Sequence, residues 1–486
     1  MIISMQIILV KPHPPVEIMM SACPTPEKYK YAWEPIALKV IAYAIQKHFP
    51  DVAVEVFHCV SGTDDEKLLS YIKNQAVDIV IFSEIDVLVN SVSYLATKIK
   101  ETNSKILTVV GGKQTSLLRA GDRFPFSNID YAFRGGPQSV LDLVQILKSD
   151  SAAEISLKGR ILVDSDGIVE GNCDYSDRLD YAYIDNIRMR KIPVINCSHD
   201  VYFTHHQRHP SIHLGEVRTS AFFSGEGCPY NCVFCQSPIE YRGEDKVKLC
   251  SIESVANEIL WLHETYGVNN FFSLEPNLNL GNLKFLYQAL GEKGVPYLST
   301  SGFVRAGDIK MFYKNGILKR LIDCGLRFVS IGIDVPVDTK KDVYNKSYSY
   351  NDMLESLNIC MDHGLVVLAT CVGDPTLTKD EFKRQLETIQ LLPVGDVDIR
   401  LAIALRNTKY FNTYKEYLIY SPDDSRYFDC QNYRYQTIQI PGKIKPEETY
   451  SLVNAFYTTF YHERMSKQYV QDIIASYPDT RTFFSS

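Results

Sequence analysis

Three cysteines, Cys228, Cys232 and Cys235, lie within the short stretch GEGCPYNCVFCQSP, residues 225–238. Thiolates spaced this closely can direct three sulfurs at one centre, as iron–sulfur clusters and thiolate-rich zinc sites require. A structural zinc site has four ligands, and no second cysteine pair follows this loop. Three ligands leave one position open, as a catalytic centre needs. The spacing therefore favours a cluster with an open position over three unliganded core thiols.

A second group of potential ligands is a run of histidines in a polar segment before the cysteines. Its members are His199, His205, His206, His209 and His213. Their spacing fits no recognised zinc pattern, and no cysteine pair accompanies them. We therefore interpret this segment as a solvated or substrate-facing loop rather than a metal site.

Length and charge limit the classes of function. A chain of 486 residues exceeds the roughly 250 to 300 at which single cores stop growing, so more than one domain is expected. The 51 basic and 58 acidic residues give a net charge of −7 without blocks of like charge, which argues against binding to nucleic acid or to an anionic membrane.

Location is predicted from the apolar runs and the cysteines. The start, MIISMQIILVKPHPP, favours a first strand over a signal peptide, and no apolar run reaches the about 18 residues of a membrane span. The nine other cysteines are scattered along the chain, as is typical of thiols in a reducing compartment. We expect a cytoplasmic protein without a membrane segment.

The first part of the chain alternates short β-rich runs with helical patterns. The strand-like runs are QIILVKP (6–12), VAVEVFHCV (52–60), VDIVIFS (77–83), KILTVVGG (105–112) and IDYAFRGG (129–136). Five strands separated by helices predict a doubly wound parallel sheet of Rossmann or flavodoxin type in residues 1–150. Residues 151–215 lose this periodicity and are predicted to be a linker with a small hairpin.

A second alternating series follows and contains six strand-like runs. They are VRTSAFFS (217–224), NNFFSLE (269–275), PYLSTSG (296–302), LRFVSIGID (326–334), LVVLATCVG (365–373) and VDIRLAIAL (397–405). With helices between them, these runs predict a partial (β/α)6 TIM-type barrel over residues 216–405, whose chemistry lies at the strand C-terminal ends. The cysteine loop follows the first of these strands. Residues 406–486 are rich in tyrosine and are predicted to be mainly helical.

The stretch SGEGCPYNCVFC resembles the C-x-x-x-C-x-x-C loop of radical S-adenosylmethionine (SAM) enzymes, including Phe234 before the third cysteine. The first domain resembles the cobalamin-binding domain of the cobalamin-dependent subgroup. The similar stretches are WEPIALKVIAY from Trp33, DIVIFSE at 78–84, VVGG at 109–112 and IDYAFRG at 129–135. Together these resemblances cover residues 5–405.

The resemblance implies roles for residues of the second domain. Cys228, Cys232 and Cys235 would ligate three irons of a [4Fe–4S] cluster, and SAM would bind the fourth. The implied SAM-binding residues are Phe234, Glu275, Asp334 and Gly373. Phe234 and Gly373 would lie near the adenine, Asp334 near the ribose and Glu275 near the methionine amino group. In the family two glycines often precede that glutamate, whereas Ser273 and Leu274 stand here.

For the first domain the resemblance implies a cobalamin site. Its implied residues are Ser83, Glu84, Gly111, Gly112 and Gln114, although a plain strand–helix turn would also account for the glycines. The D-x-H-x-x-G signature of many cobalamin proteins is absent, so cobalamin would lack an axial histidine from this domain. The GEGE that often follows the last strand is GGPQ (135–138) here, which removes an acid.

The resemblance implies an enzyme, and most often a methyltransferase. Such an enzyme places a methyl group from methylcobalamin on an unactivated carbon of a small molecule or peptide natural product, through a 5′-deoxyadenosyl radical. An electron donor such as flavodoxin or ferredoxin would be a partner. Two alternatives stay open: non-methyl radical chemistry, such as cyclisation or ring rearrangement, with the same cofactors, or a non-catalytic cobalamin-binding sensor. A methylthiotransferase is disfavoured because the first domain lacks a second cysteine triad.

Overall fold

The computed structural model describes the chain in thirteen pieces, with the other residues left undescribed. They are residues 5–13, 34–59, 63–84, 88–134, 137–149, 159–170, 180–197, 202, 218–241, 246–295, 298–333, 349–429 and 436–465. The five linker histidines, Asp334 and residues 466–486 fall outside these pieces, so the predictions made for them stay predictions.

The first sheet, called the front sheet, has seven strands. They are β1 (Met5–Lys11), β2 (Val52–His58), β3 (Ile79–Glu84), β4 (Leu107–Gly112), β5 (Tyr131–Phe133), β6 (Arg160–Val163) and β7 (Val169–Glu170). Strands β1 to β5 are parallel in the order β2-β1-β3-β4-β5, while β6 and β7 add an antiparallel edge. The order of the parallel strands is that of flavodoxin-like sheets, the second of the two predicted types. The hairpin of β6 and β7 thus continues the front sheet into the segment predicted as linker.

Helices connect the strands of the front sheet. They are α1 (Ile36–His48), α2 (Thr63–Asn74), α3 (Val89–Thr102), α4 (Lys113–Leu117) and α5 (Gln138–Lys148). In α3 the buried residues Val92, Leu95 and Ile99 recur at three and four positions, which places them on the face that packs against the sheet. The predicted alternation of strands and helices is therefore present.

The second sheet has six parallel strands in sequential order. They are β8 (Thr219–Phe222), β11 (Asn270–Ser273), β12 (Ser299–Val304), β13 (Leu326–Ile333), β14 (Val366–Gly373) and β15 (Asp396–Leu401). We define the cysteine loop as residues 228–235. Strand β9 (Gly225–Gly227) precedes this loop, β10 (Val247–Leu249) follows it, and the two strands form a short antiparallel pair. The six parallel strands predicted from the sequence are all present, and β8 lies at one edge of the sheet.

Helices surround this second sheet and form the end of the described chain. They are α6 (Asn186–Arg190), α7 (Ser237–Glu240), α8 (Ile252–Tyr266), α9 (Leu280–Glu292), α10 (Ala306–Lys314), α11 (Ile317–Cys324), α12 (Tyr350–Asp362), α13 (Lys379–Gln390), α14 (Lys409–Tyr414), α15 (Ser425–Asp429) and α16 (Pro446–Met465). Helix α16 packs against α13. Within the described pieces, no helix is both long and apolar enough to cross a membrane.

A buried ionic network joins the two sheets beside the edge strand β8. Arg190 of α6 pairs with Glu34, which precedes α1, and with Glu258 of α8, and all three side chains are at most 4% exposed. Arg190 also donates to the carbonyl oxygen of Ala221 in β8. The network therefore covers part of an otherwise open sheet edge and links it to the front sheet.

Candidate active site

The cysteine loop begins where β9 ends and is followed by helix α7. Its three cysteines are half-buried and form no disulfide bond. The backbone N–H of Cys235 donates to the carbonyl of Cys232 at 3.2 Å. The backbone N–H of Ser237 donates to the Cys235 sulfur at 3.4 Å, and the Cys235 thiol donates to the Ser237 hydroxyl oxygen, also at 3.4 Å. Donors aimed at sulfur are one means by which proteins set the potential of an iron–sulfur cluster.

Gly227 explains why glycine precedes the first cysteine. Its φ of 110° lies in a region that favours glycine. A side chain here would also collide with the backbone carbonyl of Lys246, beside β10. The close pairing of β9 with β10 thus requires glycine, and this pairing positions Cys228.

Tyr230, inside the loop, is held by two residues at the start of α10, directly after strand β12. The guanidinium of Arg305 stacks 3.6 Å from the centre of the Tyr230 ring, and the Tyr230 hydroxyl donates to Asp308 at 3.1 Å. Burial raises the pKa of the Cys228 thiol, while the nearby Arg305 acts to lower it. Sequence reasoning missed Arg305, and its position directly after a predicted strand was the available signal.

The three cysteines of the loop are the candidate ligands of an iron–sulfur cluster. Among the described residues, no group of three or more His, Cys, Asp or Glu side chains forms a ready metal site. Three cysteines on one loop at a strand end, none of them in a disulfide bond, nevertheless match a cluster that takes three protein ligands. Binding requires their sulfurs to turn toward one point.

Glu275, a predicted SAM contact, is buried after β11. Its carboxylate accepts hydrogen bonds from the Ser224 hydroxyl and from the backbone N–H of Asn279 at 3.2 Å. A small cavity of about 20 Å³, lined among others by Cys250 and Leu283, adjoins it. Burial raises the pKa of this carboxyl group. In this arrangement Glu275 joins the β8 loop to the start of α9, and its contact with SAM stays a prediction.

Phe234 and Gly373 are the other described candidates for SAM contact. Phe234 packs at the edge of a cluster that contains Val372 and Tyr410. Gly373 ends β14, and a side chain there would crowd Leu401 of the neighbouring strand. Close strand packing is therefore sufficient to explain this glycine.

The five predicted cobalamin contacts gather at the C-terminal ends of β3 and β4. Ser83 pairs with Gly111 and Glu84 with Gly112, while the backbone N–H of Gln114 donates to the Glu84 carboxylate at 2.7 Å. A side chain at Gly112 would collide with the Glu84 backbone, whereas one at Gly111 would meet nothing within 4 Å. Gly112 is thus needed for strand packing, and the open space at Gly111 fits the close approach of a flat ligand.

Helix α4, which follows the front-sheet strand β4, contacts helix α7, which follows the cysteine loop, through a small apolar cluster. Leu117, at the end of α4, packs with Ile239, which lies in α7, and with Ile403 and Leu405 beyond β15. The turn that carries the predicted cobalamin contacts therefore lies beside the helix that follows the cysteines. Sequence reasoning did not find this contact, because residues distant in the chain form it.

The cysteine loop and most of the second sheet match a known protein family. Residues 223–389 match the family model described as the Radical SAM superfamily. This part of the chain is a radical SAM domain. The predicted resemblance of the cysteine stretch to radical SAM enzymes is thereby confirmed.

Curated relatives extend the likeness beyond the radical SAM domain. A methyltransferase of Pyrococcus horikoshii, described as uncharacterized, is 23% identical over 383 residues, which are 76% of this chain and 75% of the relative. The anaerobic magnesium-protoporphyrin IX monomethyl ester cyclase of Cereibacter sphaeroides is 25% identical over 369 residues, or 72% of this chain and 55% of the cyclase. The bacteriochlorophyllide d C-8(2)-methyltransferase of Chlorobaculum tepidum is 22% identical over 261 residues, 49% of this chain and 55% of that protein.

Solved structures show a similar fold across both sheets. The radical SAM methyltransferase TsrM from Kitasatospora setae, with cobalamin and a [4Fe–4S] cluster bound, has a TM-score of 0.60 at 17% identity and covers 82% of this chain and 75% of its own. The cobalamin-dependent radical enzyme OxsB, with aqua-cobalamin and SAM bound, also has a TM-score of 0.60, at 12% identity, over 95% of this chain and 62% of its own. The radical SAM domain and the sheet before it thus share the α/β fold of these enzymes.

Proposed function

We propose that this protein is a cobalamin-dependent radical SAM methyltransferase. The observation that carries the proposal is the contact between the two sheets. Leu117, which follows the predicted cobalamin contacts, packs on Ile239, which follows the cysteines. Ligands of open α/β sheets bind at the C-terminal ends of the strands, so a corrin at Gly111 would lie on the same side as the cysteine loop.

The roles of the residues follow from this placement. Cys228, Cys232 and Cys235 would hold a [4Fe–4S] cluster that supplies one electron to SAM, and the six strands would wrap as a partial barrel around it. Phe234, Glu275, Gly373 and Asp334 are proposed contacts of SAM. Ser83, Glu84, Gly111, Gly112 and Gln114 are proposed contacts of cobalamin, which serves as the methyl carrier.

The proposed reaction balances with two molecules of SAM. One gives its methyl group to the carrier and leaves as S-adenosylhomocysteine. The other accepts an electron from a donor such as flavodoxin or ferredoxin and splits into methionine and a 5′-deoxyadenosyl radical. That radical would take a hydrogen atom from the substrate carbon and become 5′-deoxyadenosine. The carbon radical would take the methyl group from the carrier together with one electron, and a second electron from the donor would return the carrier to its methyl-accepting state.

Two of the relatives support methyl transfer, since they are described as methyltransferases. We propose a small molecule or a peptide as the substrate and a cytoplasmic location. The TsrM structure with tryptophan as substrate is an example of a small substrate on this fold. The second candidate is cyclisation or another non-methyl radical reaction, which the 25% identity to the monomethyl ester cyclase favours.

The test uses the full chain, reconstituted anaerobically with iron, sulfide and cobalamin, and SAM labelled with deuterium in its methyl group. On reduction we expect S-adenosylhomocysteine, 5′-deoxyadenosine and a labelled methyl group on the bound corrinoid. Formation of 5′-deoxyadenosine without S-adenosylhomocysteine would instead identify the non-methyl reaction. Absence of both products would leave the non-catalytic sensor as the remaining reading.

A further inference from the structure

Ser237, the first residue of helix α7, carries a buried hydroxyl that lies against the sulfur of Cys235. The hydroxyl oxygen and the sulfur are 3.4 Å apart, and Ser237 is 7% exposed. The backbone N–H of Ser237 donates to the same sulfur, also at 3.4 Å. One residue therefore makes two polar contacts with one of the three candidate ligands of the cluster.

The direction of the contact between hydroxyl and sulfur depends on the proton of Cys235. In the structure the thiol donates to the Ser237 oxygen, and the hydroxyl proton of Ser237 finds no acceptor among the described residues. A cysteine that ligates iron is a thiolate, which has no proton to donate and can only accept. Buried polar groups are almost always hydrogen-bonded. With iron bound, the hydroxyl would therefore turn and donate to the sulfur.

A donor at a ligand sulfur acts unequally on the two redox states of a cluster. The reduced cluster carries one more negative charge than the oxidised cluster, and the ligand sulfurs share that charge. Because hydrogen bonds to charged acceptors are the stronger ones, the Ser237 hydroxyl would stabilise the reduced state more. The residue is buried, so that water has little access to replace this donor. A side-chain donor here should therefore make the cluster easier to reduce.

We propose that Ser237 is a positioning residue that acts through Cys235, and that its hydroxyl raises the reduction potential of the cluster. This inference rests on the proposed function, since it needs a [4Fe–4S] cluster in the cysteine loop. In the step concerned, one electron passes from a donor of the flavodoxin or ferredoxin class to the cluster, and no bond breaks. Ser237 thereby brings the cluster within reach of a weaker reductant.

The experiment measures the midpoint potential of the cluster in the full chain, reconstituted with iron and sulfide alone. Titanium(III) citrate reduces it stepwise with redox mediators, and electron paramagnetic resonance counts the reduced clusters. At the wild-type midpoint, Ser237→Ala should show a ratio of reduced to oxidised cluster about tenfold lower, which for one electron is about 59 mV. Ser237→Thr keeps a hydroxyl and should restore the wild-type midpoint. Ser254→Ala is the matched control, because the Ser254 hydroxyl donates to the carbonyl oxygen of Ile184 at 2.9 Å instead of to a sulfur.

The hydroxyl proton itself provides a second readout. After transfer to D2O, pulsed electron paramagnetic resonance of the reduced wild type should detect one more exchangeable deuteron beside the cluster than in Ser237→Ala, which keeps the backbone N–H. Equal deuteron signals, or an unchanged midpoint in a Ser237→Ala protein with full iron content, would overturn the proposal. A Ser237→Ala protein that holds no cluster would assign the residue to assembly and also overturn it. A wild type that takes up no cluster would refute the proposed function itself, whereas the other outcomes leave that function intact.

Discussion

The side-chain amide of Asn407 donates a 2.7 Å hydrogen bond to the carbonyl oxygen of Leu117, a residue 290 positions earlier in the chain. The same amide donates to Asp122 at 2.9 Å. Asn407 has a φ of 64°, a conformation that asparagine tolerates better than most residues. The segment after β15 is thus hydrogen-bonded to the end of α4, which packs against the helix that follows the cysteine loop.

Replacing Asn407 should lower the free energy of unfolding through two separate contributions, its side-chain hydrogen bonds and its backbone conformation. Asn407→Gly loses both hydrogen bonds but keeps the favourable backbone, so we expect a loss of about 1–3 kcal/mol in the free energy of unfolding. Asn407→Ala should lose a further ~1 kcal/mol because alanine disfavours positive φ. Urea unfolding of the full chain measures both. Equal stability of the two variants would contradict the role given to the backbone.

The cysteine triad gives the most direct test of the cluster. Changing Cys228, Cys232 and Cys235 together to alanine should abolish bound iron, the visible absorbance of the cluster and all cleavage of SAM. The three thiols are half-buried rather than part of the core, so the variant should still fold. Changing Cys324, a half-buried thiol outside the loop, to alanine is the control and should keep the iron. Iron and activity in the triple variant would refute the assignment.

The sequence allowed prediction of those features that depend on local pattern. The cysteine spacing and the alternation of strands and helices are local, and the structure confirms the parallel strands of both sheets. Arg305, Asn407 and Tyr410 were missed, because their contacts with the cysteine loop or the front sheet join distant segments. The hairpin of β6 and β7 was predicted. Its pairing with β5 could not be predicted, because that pairing depends on which strand lies at the edge of the folded sheet.

Arg190 provides a test of the buried network between the two sheets. Arg190→Met leaves Glu258 buried without its cation and Glu34 with Lys39 as its remaining partner, and we expect a loss of about 3–5 kcal/mol. The matched control is Arg188→Met on the same helix, since the Arg188 side chain is 79% exposed and its ion pair with Asp185 should contribute about 1 kcal/mol or less. Denaturant midpoints compare the two variants. Similar small shifts would show that the network is dispensable.

The state of bound cobalamin can be tested by electron paramagnetic resonance. The front sheet lacks the usual histidine signature, and Nδ1 of His58 at the end of β2 is hydrogen-bonded to the Tyr202 hydroxyl at 3.1 Å. We therefore expect the cob(II)alamin spectrum to lack nitrogen splitting from a protein ligand. A resolved triplet would contradict this prediction. His205 and His206, which lie outside the described pieces, would then be the first ligands to replace.

His58 also predicts how stability depends on pH. Burial, aided by the positive charges of Lys11 and His13, lowers the pKa of His58 to about 3, whereas Asp64 acts in the opposite direction. Between that value and the unfolded pKa of about 6.5, the unfolded chain binds a proton that the folded chain does not, so stability falls as pH falls.

From pH 7 to pH 5 this group should cost about 2 kcal/mol of unfolding free energy. His58→Gln should remove that part of the fall, as seen by urea unfolding at the two pH values. Tyr202→Phe is the control: it removes the hydrogen bond to His58 but leaves the ring buried, which is the larger cause of the shift. The fall should therefore persist in this variant. A His58→Gln protein with the full wild-type fall would show that another group carries the acid sensitivity.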